Sequence, residues 1–291
     1  MPLDMTSLSN YGFIPADHAQ PRFFPVSVSR IYDEDGHELP GYQRVRRDDT
    51  GDTLAIHTDS YRLVSNEEAF SAFEEAVWDS SLDKTGMQIA TDYANGGARV
   101  FRQYLLPAHQ VEVRPGAVVA LRLLMFNSYD GTVAFKGMSG AFNFVCANTV
   151  VRGKTFGSFS FKHTAGVRAA LDMPAAFAGL TRAAEEFEVM AHQFRRWSAL
   201  ALSPTADRER IEAVLRAIPQ SSDELVDHLL AQWLRVLDDP SPNGGATAWS
   251  LFNVLTAWAT HTEGRVRSAR FDREARVAKV LESKAWGELV A

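Results

Sequence analysis

Residues 98–126 read ARVFRQYLLPAHQVEVRPGAVVALRLLMF, and this stretch decides the fold. Two apolar runs, 98–106 and 117–126, are rich in Val, Leu and aromatic residues, which suits a pleated and buried surface. Arg114-Pro115-Gly116 separates them as turn chemistry. Working outward, the segments 87–93, 132–138 and 158–162 carry the same strand signature. Asn95-Gly96-Gly97 and Asp130-Gly131 supply the positive φ that tight hairpins need. The expectation is an antiparallel sheet.

Upstream, Phe24, Val26, Val28, Arg30 and Tyr32 alternate before the acidic turn Asp33-Glu34-Asp35-Gly36, and a second extended stretch runs to Val45. That is a hairpin. Residues 53–57 read as a strand. Ser65-Asn66-Glu67-Glu68 is a capping box opening a helix with Ala69, Phe70, Phe73, Val77 and Trp78 along one stripe. Residues 141–151 (AFNFVCANTVV) fit helix or strand equally.

After Asp172 the apolar period becomes helical, with Phe177, Leu180, Ala184, Phe187, Ala191 and Phe194 at steps of three or four. Ile211, Val214, Leu215 and Ile218 mark a second helix. Ser221-Ser222-Asp223-Glu224 caps a third that carries Leu225, Leu229, Trp233 and Leu237. Residues 239–245, DPSPNGG, form the clearest loop, followed by helices over 246–260 and roughly 273–289. The fold class is therefore α+β: an N-terminal antiparallel β-sheet with one or more packed helices, then a mostly α-helical C-terminal part. Residues 1–20 show no periodicity and read as a flexible arm, 21–170 as the sheet domain and 171–291 as the helical region.

An apolar share of 46% over 291 residues provides ample core. The start, MPLDMTSLSNYGFIPADHAQ, lacks a basic segment followed by an apolar run, so no secretory leader is expected there. No apolar stretch approaches the roughly 20 residues that span a bilayer, and no membrane association is expected. The single cysteine, Cys146, allows no intrachain disulfide and fits a reducing compartment, with the cytoplasm as the default.

The net charge of −6 conceals a strong asymmetry. Residues 1–99 hold 8 Lys and Arg against 17 Asp and Glu, and 171–291 hold 14 against 17. Residues 100–170 hold eight positives (Arg102, Arg114, Arg122, Lys136, Arg152, Lys154, Lys162, Arg168) against Glu112 and Asp130. A locally basic segment is what a polyanion responds to, whatever the net charge.

Enzyme signatures are incomplete. Arg152-Gly153-Lys154-Thr155 ends like a phosphate-binding loop, but Asn148 stands where its first glycine belongs. Gly137-Met138-Ser139-Gly140-Ala141 lacks the last glycine of a nucleophile elbow. Cys146, among Phe144, Val145 and Ala147, reads as a buried thiol. Asp33, Asp35 and His37 match neither a calcium loop nor a zinc site and read as a solvated turn. No catalytic residue, cofactor or metal is expected. Trp249, Asn253, Thr256 and Thr260 form a polar seam on an apolar helix, satisfied within the bundle or lining a pocket.

The basic segment also carries rings: Phe126, Tyr129, Phe135, Phe142, Phe144, Phe156, Phe159 and Phe161. Phe159, Phe161 and His163 share one strand parity, Lys154 and Lys162 the other. Either the rings face the core and the lysines face water, or some rings stand open beside the cations. The second arrangement would stack single-stranded bases at about 1–3 kcal/mol each.

Four segments resemble a known family: Tyr61-Arg62-Leu63-Val64-Ser65-Asn66-Glu67-Glu68-Ala69-Phe70, Leu124-Met125-Phe126-Asn127-Ser128-Tyr129-Asp130-Gly131, Val145-Cys146-Ala147-Asn148-Thr149, and Phe161-Lys162-His163-Thr164. With Thr247-Ala248-Trp249-Ser250-Leu251-Phe252-Asn253-Val254-Leu255-Thr256 and His261, they are similar, in order and over roughly residues 50–265, to the phage/plasmid-like protein family, domain of unknown function 932. The resemblance implies a gene carried by phages, prophages or plasmids. It implies no settled activity and transfers no catalytic residue. A more distant similarity of βα order and basic segment is to single-strand annealing proteins, which form oligomeric rings with a basic groove.

The leading expectation is a DNA-metabolism protein that binds single-stranded DNA and assists strand annealing as a homo-oligomer. Arg122, Lys136, Arg152, Lys154 and Lys162 would contact phosphates, and Tyr129, Phe156 and Phe159 would stack bases. The rival expectations are a protein-protein interaction or scaffold module using the Phe177, Phe187 and Phe194 stripe, and a nucleotide- or nucleic-acid-processing enzyme with a polar pocket around Asp130, Asn148 or His163.

Overall fold

A computed structural model of the chain describes residues 8–9, 12–16, 23–144, 149–151, 159–163, 182–262 and 269–291. Among them the strands are β1 (Ile14–Pro15), β2 (Val26–Tyr32), β3 (Glu38–Arg47), β4 (Thr53–Thr58), β5 (Gln88–Ala94), β6 (Arg99–Arg114), β7 (Ala117–Ser128), β8 (Phe135–Asn143), β9 (Thr149–Val151) and β10 (Phe159–Phe161). The helices are α1 (Asn66–Asp79), α2 (Ala183–Ala199), α3 (Arg208–Arg216), α4 (Asp223–Arg235), α5 (Ala248–His261), α6 (Ala269–Leu281) and α7 (Lys284–Leu289). No described helix is long and apolar enough to cross a membrane.

β6 and β7 form the long central hairpin that their composition implies, with Arg114 opposite Ala117 across the turn. Gly116 there has φ +80°, the left-handed backbone a glycine adopts without strain. β5 and β8 flank the hairpin, all antiparallel, in the order β1-β5-β6-β7-β8-β10, with β9 also on the outer edge of β8. The strand read over 98–106 runs on to Arg114 through a bulge. The register shifts between Leu106 and Gln110, where Pro107 has no N–H to give a ladder. The ambiguous stretch 141–151 resolves as strand at both ends: it completes β8, and Val151 returns opposite Gly140. β2, β3 and β4 make a separate three-stranded sheet.

Strand alternation divides the large sheet into two faces. On one, Val100, Tyr104, Leu121, Leu123 and Met125 join Phe70 and Phe73 of α1, Phe187 and Phe194 of α2, and Trp249 and Phe252 of α5 in a single core. The segments 21–170 and 171–291 therefore share that core. The opposite face carries Phe101, Leu124 and Phe126 under Phe271 of α6, and Leu105, Ala120 and Phe142 beside Leu8 and Phe13. The Phe101 and Phe271 rings stack at 4.2 Å between centroids.

Within the stretch read as an arm, Leu8 and Phe13 are buried and Ile14 is in register with Ile89. A short extended segment needs no periodicity to dock, only one or two apolar anchors and a sheet edge to pair with. The helix over about 273–289 is two helices, because the Ser283 hydroxyl accepts from Trp286 N and starts α7 afresh.

Candidate nucleic-acid interface

The cations of the basic segment meet three fates. Arg122 lies at the centre of β7 and is fully buried. Its Nη1 is 2.9 Å from Glu274 Oε2 of α6, and its Nε donates to Gln103 Oε1 at 2.9 Å. Arg270 Nε lies 3.3 Å from the other Glu274 oxygen, and Arg270 Nη2 lies 3.9 Å from Asp92. Burial lowers the pKa of Arg122 against the opposing pull of Glu274. Arg122 is thus a structural cation beneath α6 and not a phosphate contact. Arg102, also buried, pairs with Glu74 of α1 at 2.8 Å, and Tyr104 Oη donates to the same carboxylate oxygen at 2.9 Å. Burial raises the pKa of Glu74 more than Arg102 lowers it. Arg114 donates to Gly244 O at 3.1 Å.

Tyr129 is corrected for the same reason. It is fully buried, and its hydroxyl oxygen accepts from the backbone N–H of Asn66 at 2.8 Å. That N–H opens α1 and has no partner within the helix, so Tyr129 acts as a tertiary cap. The ring cannot stack on a base. Phe126, Phe135 and Phe142 are buried as well.

Lys136 and Lys162 remain. Ser160 of β10 sits opposite Lys136 of β8, and Lys162 follows Ser160 by two residues, the spacing that returns to one face of an extended chain. Lys162 is exposed; Lys136 is half-buried, its Nζ 4.9 Å from the centroid of Phe126. Burial lowers the pKa of Lys136, partly offset by Asp272. Phe159 stands opposite Gly137 in the same ladder. Arg152, Lys154, Phe156, Arg168 and Cys146 lie outside the described residues.

Some of the residues that carry the family resemblance, from 61–66, 127–129 and 163, come together around the start of α1. Asn127 Nδ2 donates to Asn66 Oδ1 at 2.8 Å and to Val64 O at 3.3 Å. Tyr61 Oη donates to Ser128 O at 3.3 Å, and Arg62 N donates to His163 O at 3.1 Å. The Tyr61 ring lies between those of His57 and His163, at 3.9 and 5.3 Å. Asp130 takes hydrogen bonds from Thr132, Asn95 and Arg99. Burial would raise its pKa, but these partners outweigh it and the net shift is downward. His163 is buried, with neither ring nitrogen hydrogen-bonded among the described residues.

Asp33, Asp35 and His37 bring their ligand atoms within 4.8 Å of one another on the exposed β2–β3 turn. There Asp33 Oδ1 accepts from the N–H groups of Asp35 and His37 at 3.0 and 2.8 Å, which closes the turn on itself. The three-stranded sheet shows exposed Tyr42 and Ile56, with Arg44 directly opposite Ile56 and Arg46 two residues further along β3. Arg44 and Arg46 are tethered to Ser29 and Ser27, and Asp48 lies 3.6 Å from Arg46.

The sequence reading missed the Arg122–Glu274 pair. A warning was present: a lone arginine inside a ten-residue apolar run has no way to reach water and must find a buried partner.

No curated protein and no solved structure matches the chain. A family model does, that of the Domain of unknown function (DUF932), over residues 53–281. That span holds β4 to β10, α1 to α6 and every motif gathered around Asn66 and Tyr129, and the chain belongs to this family.

Proposed function

We propose that the protein binds single-stranded DNA along the side of the large sheet where β9 and β10 flank β8, and not across the middle of the sheet. The observation that carries this reading is a run without acids. Residues 131–171 contain Lys136, Arg152, Lys154, Lys162 and Arg168 and no Asp or Glu. Of its described cations, Lys136 lies in β8 opposite Ser160, and exposed Lys162 directly follows β10. The arginines withdrawn into ion pairs, Arg102 and Arg122, precede this run, so their burial leaves its charge intact. Cations along an edge attract a phosphate chain irrespective of sequence. The phage or plasmid setting, the bacterial cytoplasm and assembly into a homo-oligomer belong to the same proposal.

Fluorescence anisotropy with a labelled single strand at low salt tests it. Saturable binding is expected with the full chain, weakened about tenfold by Lys136→Glu with Lys162→Glu, since two phosphate contacts become repulsive. An absence of binding at about 10 μM protein overturns the proposal, because non-specific sites register in that range. Light scattering with and without the strand reads the oligomer.

A further inference from the structure

We infer that the free edge of β2 docks an extended acidic peptide, which joins the three-stranded sheet as a fourth strand with its carboxylates on the side of Arg44 and Arg46. β2 ends the order β2-β3-β4, and among the described residues nothing pairs with its other edge. Alternate residues of such a strand turn their N–H and C=O groups outward, a ready template for another chain. Sheets commonly guard an edge with proline, lysine or a very short strand. β2 has seven residues, VSVSRIY, with neither proline nor lysine among them. Its register shift lies between Arg30 and Tyr32, which leaves Val26 to Arg30 regular.

The two sides of this sheet differ, and the difference defines the peptide. Val45 is buried with Tyr61 and Tyr129, so its side faces the body of the protein. Val28 lies directly opposite Val45 and shares that side, yet it is 40% exposed. The other side is basic. Arg44 lies opposite Ser29 and Arg46 opposite Ser27, and each donates through Nε to that serine hydroxyl, at 3.1 and 3.4 Å. The small serines let both arginine side chains lean from β3 onto the edge strand. They stand two residues apart, the spacing at which a neighbouring strand repeats its side chains on one side. Asp48 lies 3.6 Å from Arg46 and takes part of its charge, whereas no described carboxylate pairs with Arg44.

A strand added at this edge sets alternate side chains beside Val28 and beside the two arginines. Aliphatic residues in the first set and acidic residues in the second match both sides, since like-sized apolar pairs and opposite charges stabilise neighbouring strands. The main-chain ladder supplies affinity and the alternation supplies specificity. A nucleic acid meets the arginines but offers no amide ladder to the edge. The surface shares no residue with the β8 side of the large sheet, so the inference does not rest on DNA binding.

Fluorescence anisotropy of the full chain with a labelled octapeptide of alternating glutamate and valine, at low salt, tests it. Saturable binding is expected, and about tenfold weaker binding with glutamine in place of glutamate or with Arg44→Ala plus Arg46→Ala. Two N-methylated peptides, each blocked at alternate amides, read the ladder without altering the protein, and at least one of them should lose binding. The inference is overturned if the glutamate peptide does not saturate, if the glutamine peptide binds as tightly, or if both methylated peptides bind as the unmethylated one does. A labelled single-stranded DNA that occupies this face in place of the peptide, and is lost with the same two substitutions, also overturns it.

Discussion

Arg122 illustrates how a single charge can be both costly and indispensable. Its guanidinium and the Glu274 carboxylate are each fully buried, so their attraction mainly offsets the loss of water. Removing one partner leaves the other charged and enclosed. Arg122→Ala should therefore lower stability by about 3–5 kcal/mol, measured by urea unfolding. A loss under about 1 kcal/mol would mean that water reaches the pair. His163 gives a second residue-scale prediction. Burial, and the neighbouring His57, hold its pKa below 6.5 in the folded protein. The unfolded chain then binds more protons, so stability falls as pH drops through 6.5, and the loss is complete once pH is below the folded value. Burial lowers His109 in the same direction, by the effect of its own surroundings. His163→Phe, which keeps a ring against Tyr61, should flatten the dependence of Tm on pH over about pH 5–8 without making it level. An unchanged slope would show that His163 is hydrated.

At the scale of the element, the start of α1 shows what sequence can and cannot reveal. The Ser65 hydroxyl accepts from Glu68 N at 3.1 Å, as the local motif implies, and Ser65→Ala should cost about 1 kcal/mol. Tyr129 caps the same helix from 63 residues away. Tyr129→Phe orphans the buried Asn66 N–H and should cost about 1–3 kcal/mol by denaturant unfolding, no less than the local cap. Caps, hairpin turns and strand alternation are legible because their partners lie within a few residues. The third-helix cap shows the margin of such readings: Ser222, not Ser221, accepts from Leu225 N, because Ser221 N closes the preceding turn on Ile218 O. Tyr129 was legible as an aromatic in a basic segment, but its burial depends on how α1 crosses the end of β7. The same applies to the parity of Lys162 and His163. Alternation separates them correctly, one exposed and one buried, without saying which side is the core.

For the whole molecule, the question is whether the charge asymmetry survives folding. Ion pairs inside the sheet engage Arg102 and Arg122, while Lys136 on β8 and Lys162 just past β10 are the described cations of the acid-free run. The three-stranded sheet presents a competing basic face through Arg44 and Arg46, held among Ser27, Ser29 and Asp48 and bordered by acidic turns. Salt dependence discriminates between the two. Each phosphate contact on a single strand adds about 0.7 to the slope of log affinity against log salt. Lys136→Ala with Lys162→Ala should reduce that slope by about 1.4, whereas Arg44→Ala with Arg46→Ala should leave it unchanged. The reverse result would move the interface to the small sheet, because counterion release counts only cations that touch phosphate. Screening reaches about 10 Å at 0.1 M salt, so acidic groups beyond that range weaken encounter at low salt but do not alter this count.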